Sequence, residues 1–337
     1  MDPSHIMQVG LGFWASKTLL SAVELELFTV LSREPLTAAE LQRALGLSSR
    51  AVPDFPDALV ALKLLDREGD GPTARYSNTP EGALFLDKKS PAYVGGMLEM
   101  ANHRLYRFWG DLTPALKSGA PQNETKDGGE SMFKKLYEVP ERLEQFMSAM
   151  AGISAGNFKA LAAKFDFSKY KTHCDVGGAT GQLACIVAEA HPHLTSTTFD
   201  LPQVEPIATR WIAAAGLSSR VKAVSGDFFA GSLPKADVIS MGMILHDWNL
   251  EKKKALIAKV YEALPPGGAF IVIEALIDDA RRENAFGLLM SLNMLVEFGD
   301  AFDYSGTDFA GWCKEAGFKD IQVLPLAGPS SAAIAFK

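Results

Sequence analysis

The spacing of hydrophobic residues in the first third of the chain is helical. Apolar side chains recur at helical intervals over residues 8–31 and again over residues 53–65, and each run predicts a helix. Between them, Thr37 followed three residues later by Glu40 is typical of a capping box, which predicts a helix that begins there. The polar segment 66–75 separates two apolar runs and predicts the hairpin of a winged helix.

From residue 166 onward, short apolar runs alternate with helical ones. Strands are predicted over residues 173–176, 194–199, 221–225, 236–241, 269–275, 321–324 and 332–336. Helices are predicted over residues 140–163, 183–190, 251–264, 284–298 and 307–316. This alternation predicts an α/β fold with a doubly wound, mostly parallel sheet, preceded by an all-α, winged-helix-like domain. We expect an N-terminal domain over residues 8–110, a helical linker over 111–165, and an α/β domain over 166–337.

Composition narrows the class of protein. The chain has 337 residues with 47% hydrophobic and 22% charged residues, which is typical of globular domains. Its formal charge of -7 disfavours nucleic-acid and anionic-membrane partners. The three cysteines cannot form a complete disulfide set, and the absence of a CxxC pattern or His/Cys cluster predicts no metal site. No secretion signal and no apolar run of about eighteen residues is found, so a cytoplasmic protein is expected.

A winged helix also raises the hypothesis of DNA binding. The candidate recognition segment, residues 48–63, carries Arg50 and Lys63 against Asp54 and Asp57, a net charge of zero. Because helices that enter a DNA groove need an excess of positive charge, this segment disfavours nucleic-acid binding. The apolar excess of the first predicted helix instead favours a homodimer through the N-terminal domain.

The segment Thr172–Leu183, with the sequence THCDVGGATGQL, has the pattern of a strand, a tight glycine turn and a helix. Such a turn lets backbone N–H groups approach a ligand. The dinucleotide pattern Gly-x-Gly-x-x-Gly is not matched in any register, which disfavours a dehydrogenase. Two interpretations remain from these residues alone: a glycine turn without a ligand, and the Asp-x-Gly-Gly-x-x-Gly turn of S-adenosylmethionine-dependent methyltransferases.

Five chemically distinctive positions lie at or just past the ends of predicted strands: Gly177, Asp200, Asp227, His246 and Glu274. In a parallel α/β sheet, ligands bind outside the carboxyl ends of the strands. Packing requirements could account for a glycine or polar residue at one strand end. They do not readily account for five such residues at the same edge of the sheet. The sequence therefore predicts a ligand site at this edge, with Asp200 suited to accept hydrogen bonds from two ribose hydroxyls.

A resemblance to a known family decides between the interpretations. The segments DVGGATG, FDLP, GDFF, ILHDW, LPPGGAFIVIEAL and KEAGF resemble, in order and spacing, the small-molecule O-methyltransferases that include the acetylserotonin and caffeate enzymes. The likeness covers nearly the whole chain. It implies that residues 8–110 are a dimerisation domain, that the linker over 111–165 contributes to a substrate pocket, and that residues 166–337 are a Rossmann-like catalytic domain that binds S-adenosylmethionine. It implies a homodimer that binds S-adenosylmethionine, releases S-adenosylhomocysteine, needs no metal, and acts in secondary metabolism on a phenolic or other hydroxylated aromatic acceptor.

The same resemblance implies roles for individual residues. Gly177, Asp200, Asp227 and Phe228 would bind the cofactor at its methionine end, ribose and adenine. His246 matches the general base, and Glu274 and Asp303 match acids beside it, although Asp303 stands where the family more often has Glu. Met150, Met294 and Asp247 would belong to the acceptor pocket. At Gly242, plant members often carry a Lys that is absent here.

These residues suit methyl transfer to oxygen. A phenol, with a pKa of ~10, is a poor nucleophile at neutral pH, and a histidine can accept its proton as the methyl group is transferred. The Met- and aromatic-rich residues 90–117 form either core or a pocket wall, in which His103 could touch the substrate. Two alternatives stay open: an N- or C-methyltransferase on the same scaffold, and a cofactor-binding protein without methyl transfer.

Overall fold

We describe residues 2–126 and 136–337 from a computed structural model. They fall into two compact units, residues 1–107 and 108–337. The polar, glycine-containing residues 119–130 predict a surface loop, which is described only to residue 126; its last residues lie outside the described part of the chain.

The N-terminal unit is mainly helical. Its helices are α1 (Ser4–Gly10), α2 (Gly12–Glu24), α3 (Leu27–Leu31), α4 (Ala38–Leu45), α5 (Asp54–Ala61), α6 (Pro80–Phe85) and α7 (Gly95–Met100), followed by a π-helical segment at Ala101–Leu105 and by α8 (Tyr106–Phe108). Three strands, β1 (Leu36–Thr37), β2 (Leu65–Glu68) and β3 (Arg75–Asn78), form an antiparallel sheet in the order β1-β3-β2. The predicted hairpin is confirmed.

Two helices predicted in this unit differ from those observed. The single helix predicted over residues 8–31 is three helices, because Leu11 separates α1 from α2 and Glu26 adopts a left-handed φ of 56° before α3. The helix predicted over 53–65 ends at Ala61, since Lys63 has a φ of 60° and the chain then enters β2. Left-handed backbone cannot continue a right-handed helix, so the breaks at Glu26 and Lys63 follow from local conformation. Leu11, with φ of -99° and ψ of 5°, leaves the helical region without becoming left-handed.

The capping box of α4 is confirmed. The Thr37 hydroxyl accepts a hydrogen bond from the Glu40 N–H, and the Glu40 carboxylate accepts one from the Thr37 N–H. The hydrophobic core of the unit includes Leu27, Phe28 and Leu41, all fully buried. By contrast, large apolar side chains on α1 and α2 are more than half exposed: Ile6 (73%), Val9 (70%), Phe13 (52%) and Trp14 (60%).

The C-terminal unit contains one seven-stranded sheet with helices packed on it. Its strands are β4 (Thr172–Val176), β5 (Thr195–Asp200), β6 (Val221–Ser225), β7 (Val238–Gly242), β8 (Ala269–Glu274), β9 (Asp320–Pro325) and β10 (Ser331–Phe336). Its helices are α9 (Leu112–Ser118), α10 (Pro140–Lys164), α11 (Gln182–Ala190), α12 (Glu205–Ala214), α13 (Leu250–Ala263), α14 (Ala285–Phe298) and α15 (Gly306–Ala316). The predicted α/β fold is confirmed.

The sheet order is β6-β5-β4-β7-β8-β10-β9. The first five strands run parallel, and β10 is antiparallel to both of its neighbours. Strand β8 is buried along its whole length, as expected for the centre of a sheet covered on both faces. Among the described residues, no helix is long and apolar enough to cross a membrane.

Candidate active site

The carboxyl ends of the five parallel strands bring the predicted site residues to one edge of the sheet. Asp200 and Glu274 are the last residues of β5 and β8, and Gly177 directly follows β4. Asp227 and His246 lie in the segments that follow β6 and β7. These positions therefore share the edge at which α/β sheets bind ligands.

A second contact brings Asp303 to the same place. The chain after β8 forms a parallel bridge between Ile277 and Ser305, just beyond α14. This bridge holds the 302–304 segment next to the end of β8, where Glu274 lies. Asp303 is 3% exposed and Glu274 is 1% exposed, so both acids are inside the protein.

The glycine turn after β4 packs closely against residues that are distant in the chain. Gly177 and Gly181 have φ values of 71° and 76°, which favour glycine. A Cβ added to Gly177 would lie 2.4 Å from Cδ1 of Ile244, and one added to Gly178 would lie 2.3 Å from Oγ1 of Thr198. The glycines therefore let the turn pack against β5 and against the segment after β7.

Asp200 joins this turn to the end of β5. One carboxylate oxygen accepts the Ala179 N–H at 2.9 Å, and the other accepts the Leu201 N–H at 2.7 Å. Burial raises the pKa of Asp200, and these two hydrogen bonds partly oppose that rise. Because each carboxylate oxygen has a further lone pair, Asp200 can still accept hydrogen bonds from two vicinal hydroxyls.

Lys259 of α13 fixes the loop that contains Asp227 and Phe228. Its ammonium donates to the carbonyl oxygens of Phe228, Phe229 and Gly231, at 2.8, 2.5 and 2.9 Å. The Asp227 carboxylate accepts the Phe229 N–H at 2.7 Å and is otherwise exposed. The loop thus presents an acid and an aromatic ring beside the sheet edge, a pair that suits a planar base with an exocyclic amine.

His246 lies in a short 3-10 turn, Leu245–Asp247, after β7. Glu274 holds this turn through the backbone, because its Oε1 accepts the N–H groups of Leu245 at 3.1 Å and of His246 at 3.4 Å. The turn also packs through Trp248, whose ring lies 4.7 Å from that of Phe229. The imidazole is 4% exposed.

Carboxylates face both nitrogens of the His246 ring. Nδ1 lies 3.3 Å from Oδ1 of Asp303 and 3.9 Å from Oε2 of Glu274, and Nε2 lies 3.3 Å from Oδ1 of Asp247. The closer acid at Nδ1 is therefore Asp303 rather than Glu274. Glu274 instead makes its hydrogen bonds to the backbone of the turn.

This charge arrangement sets the protonation of the cluster. Burial alone would lower the pKa of His246, but Glu274, Asp247 and Asp303 outweigh it and raise the pKa to about 10. Burial raises the pKa of Glu274 to about 7 and that of Asp247 to about 6, against the opposing effect of the imidazolium. To act as a base, His246 must therefore first release a proton that the neighbouring carboxylates stabilise.

The same cluster brings together atoms that can ligate metals. One nitrogen of His246 and one oxygen each of Glu274 and Asp303 lie within 4.8 Å of one another. The carboxylates of Glu274 and Asp303 also act on the imidazole and raise the pKa of His246.

The residues predicted for the acceptor pocket lie on several elements. Met294 lies on α14 and is 5% exposed, Met150 lies half-buried on α10, and Asp247 contacts His246. His103 belongs to the N-terminal unit, where it is exposed and its Nδ1 lies 2.7 Å from the Glu99 carbonyl oxygen.

Sequence reasoning missed Lys253, a lysine with no exposed surface. Because it stands in the run Lys252-Lys253-Lys254, the sequence suggests that it lies on a solvent-exposed face of the helix. The helical spacing of the hydrophobic residues would have predicted its burial, because Leu256, Ile257 and Val260 lie three, four and seven residues further on and are fully buried.

Comparison with known proteins agrees with this geometry. Residues 109–319 match the O-methyltransferase domain, and residues 7–88 match the O-methyltransferase dimerisation domain. The tetracenomycin polyketide synthesis 8-O-methyl transferase TcmO of Streptomyces glaucescens is 40% identical over 335 residues, 99% of this chain and 97% of that protein. The N,N-dimethyltransferase OxyT of Streptomyces rimosus is 37% identical over 314 residues, 93% of this chain and 90% of that protein.

The fold has close counterparts among solved structures. The crystal structure of human N-acetylserotonin methyltransferase in complex with S-adenosylmethionine superposes with a TM-score of 0.91 at 31% identity, over 100% of this chain and 98% of that one. The chain belongs to the O-methyltransferase family, whose methyl donor is S-adenosylmethionine. Its exposed apolar residues on α1 and α2 lie mostly within the matched dimerisation domain.

Proposed function

We propose that this protein transfers a methyl group from S-adenosylmethionine to a hydroxyl of an aromatic or polyketide-like small molecule, with His246 as the general base. The observation that carries the proposal is the buried imidazole faced by carboxylates at both nitrogens, at the same sheet edge as the glycine turn. A protein that bound S-adenosylmethionine without transferring its methyl group would not need a buried imidazole faced by carboxylates.

The cofactor would be held by the turn at Gly177, by Asp200 and by the loop at Asp227 and Phe228. The two oxygens of Asp200 keep free lone pairs for ribose hydroxyls, and the Asp227 carboxylate is exposed beside an aromatic ring. When bound, S-adenosylmethionine supplies an electrophilic methyl group on a positively charged sulfur and leaves as S-adenosylhomocysteine.

His246 would accept the hydroxyl proton of the acceptor as its oxygen attacks. Nε2 is the ring nitrogen assigned to this task, because Nδ1 faces the two deeper acids, Asp303 and Glu274. The resulting imidazolium would be stabilised by Asp303 on one side and Asp247 on the other, as the acid partner does in other histidine-based sites. General-base assistance of this kind contributes ~10²–10⁴-fold in rate.

The acceptor pocket in this proposal includes Met294 and Met150. Met294 is buried on α14, the helix that precedes the Asp303 segment, and flexible thioethers suit planar apolar ligands. Support for an aromatic polyketide comes from the relative TcmO, whose name assigns it to tetracenomycin polyketide synthesis.

A second candidate is N-methyl transfer. It is favoured by one finding, the 37% identity to the N,N-dimethyltransferase OxyT. A neutral amine already has a nucleophilic lone pair and needs no proton removed before it attacks, so an N-methyltransferase would depend less on His246.

The test is methyl transfer from S-adenosylmethionine with a trideuterated methyl group to paired acceptors that differ only in a hydroxyl or an amine. Mass spectrometry of the products locates the label. We expect label on oxygen, and a loss of about a hundredfold or more in the His246→Ala variant. The control is His193→Ala, because His193 is exposed and precedes β5 at the opposite end of the sheet. Label on nitrogen alone, with a rate that His246→Ala leaves unchanged, would favour the second candidate.

A further inference from the structure

Lys253 on α13 is a fully buried lysine that the mechanism above does not use. Its ammonium donates a hydrogen bond to the carbonyl oxygen of Trp248, two residues after His246. It also lies 3.7 Å from the ring centroid of Phe302 and 5.7 Å from that of Tyr304, the two residues on either side of Asp303. One ammonium group therefore touches both the turn that carries the imidazole and the segment that carries its closest acid.

The charged groups around this ammonium are mostly acids. Lys253 interacts electrostatically with Glu274, Asp303, Asp247 and Asp300. Three of these four acids are the ones that favour the charged form of His246. The groups that act on this cluster come from several elements: Asp247 from the turn, Glu274 from β8, Asp300, Asp303 and Tyr304 from the segment after α14, Glu297 from α14, Tyr137 from the segment before α10, and Lys253 from α13. The positively charged groups in this cluster are Lys253 and the protonated imidazole of His246.

Lys253 keeps its charge at neutral pH. Burial lowers its pKa to about 8, and the four surrounding acids limit that decrease. A buried ammonium is costly unless hydrogen bonds and opposite charges compensate it. Here the Trp248 carbonyl, the Phe302 ring and the acids supply that compensation.

We propose that Lys253 is a positioning residue for the methyl-transfer reaction: it joins the His246 turn to the Asp303 segment and so holds the imidazole beside its closest acid. This inference rests on the proposed function. Without the ammonium, the turn and the segment lose this link, and Nδ1 of His246 is held less closely to Asp303. The sign of the expected effect follows, because a weaker contact with a carboxylate lowers the pKa of the imidazole.

The test compares Lys253→Met and Lys253→Gln with Lys253→Arg, which keeps the positive charge. Lys254→Met is the matched control, since Lys254 lies on the same helix and pairs at the surface with Glu315. Two quantities are measured for each full-length protein after a thermal melt has established that it folds. They are the pH profile of kcat/KM for methyl transfer, and the pH titration of the His246 ring by NMR of histidine-labelled protein, assigned by the signal missing in His246→Gln.

We expect the acidic limb of the pH profile and the His246 titration to move to lower pH by about one unit in Lys253→Met and Lys253→Gln, with a lower kcat. Lys253→Arg, which keeps the hydrogen-bond donor, is expected to show little of this shift, and Lys254→Met none. An unchanged His246 titration in the neutral variants would overturn the inference. Failure of both neutral variants to fold, with Lys253→Arg also inactive, would mean that Lys253 serves folding alone and would overturn it as well. The NMR titration needs no turnover, so absence of methyl transfer in the wild type would reject the proposed function without deciding this one.

Discussion

Replacing Asp303 with Asn removes the charge closest to Nδ1 of His246 while keeping the side chain's size. In the protein these two groups are 3.3 Å apart, and both are almost completely buried. Unit charges at that distance attract by about 5 kcal/mol at an effective dielectric constant of ~20, which is a ceiling because burial opposes both charges. Neighbouring carboxylates typically change a pKa by about 1–3 units. We therefore expect the Asp303→Asn substitution to lower the pKa of His246 by about 1–3 units.

The two kinetic consequences have opposite directions. The pKa of His246 lies above its ordinary value, so the base is protonated at neutral pH and activity rises as the pH increases through that pKa. In Asp303→Asn the acidic limb of kcat/KM should move to lower pH. The plateau should nevertheless fall by about 10–10²-fold, a part of the total general-base contribution, because Asp247 and Glu274 still face the ring.

The assay is a pH profile of kcat/KM with labelled S-adenosylmethionine and an accepted hydroxyl substrate. Asp300→Asn is the control, because Asp300 lies in the same segment but is exposed and accepts its hydrogen bond from Asn249. An acidic limb that stays in place or moves to higher pH in Asp303→Asn would refute the electrostatic reasoning. A plateau equal to that of the wild type would remove Asp303 from the proposed machinery.

Three further predictions concern the glycine turn, the loop after β6 and metal dependence. Gly178→Ala should lower the free energy of unfolding by about 1–3 kcal/mol in denaturant titrations, because the added Cβ would lie 2.3 Å from Thr198 Oγ1 and 2.8 Å from Asp175 Oδ2. Gly311→Ala, on a helix with open space around it, should not destabilise the protein. Lys259→Met should raise the KM for S-adenosylmethionine more than it lowers kcat, since the lysine holds three carbonyl groups of the loop that carries Asp227; an unchanged KM would argue against that role. Prolonged treatment with a chelator should leave kcat unchanged, and activity that disappears and returns only with added divalent metal would contradict the proposal that His246 acts as a general base without a metal.

The features predictable from sequence are those fixed by short-range patterns. Thr37 and Glu40 specify a helix start by themselves, and the capping box is observed. Alternating strands and helices define the parallel sheet, and a parallel sheet brings Asp200, His246 and Glu274 to one edge whatever the details of packing.

The features that sequence did not predict depend on tertiary contacts. The break before α3 requires a left-handed conformation at Glu26, and a glutamate at that position does not predict one. Which acid lies closer to Nδ1 depends on the bridge between Ile277 and Ser305, a contact between distant segments. The contacts of Lys253 with Phe302 and Tyr304 join α13 to a segment some fifty residues further on, so its position beside Asp303 needs the folded structure.

The most direct test of the central claim is the single-turnover rate of methyl transfer from labelled S-adenosylmethionine to an accepted hydroxyl substrate, in wild type and in His246→Ala, over a range of pH. If His246 is the general base, the variant should lose about a hundredfold or more of the rate, and its acidic limb should disappear with the base. A variant that transfers the methyl group to oxygen within about threefold of the wild-type rate, with the same pH dependence, would contradict the assignment, since general-base catalysis is worth far more than that.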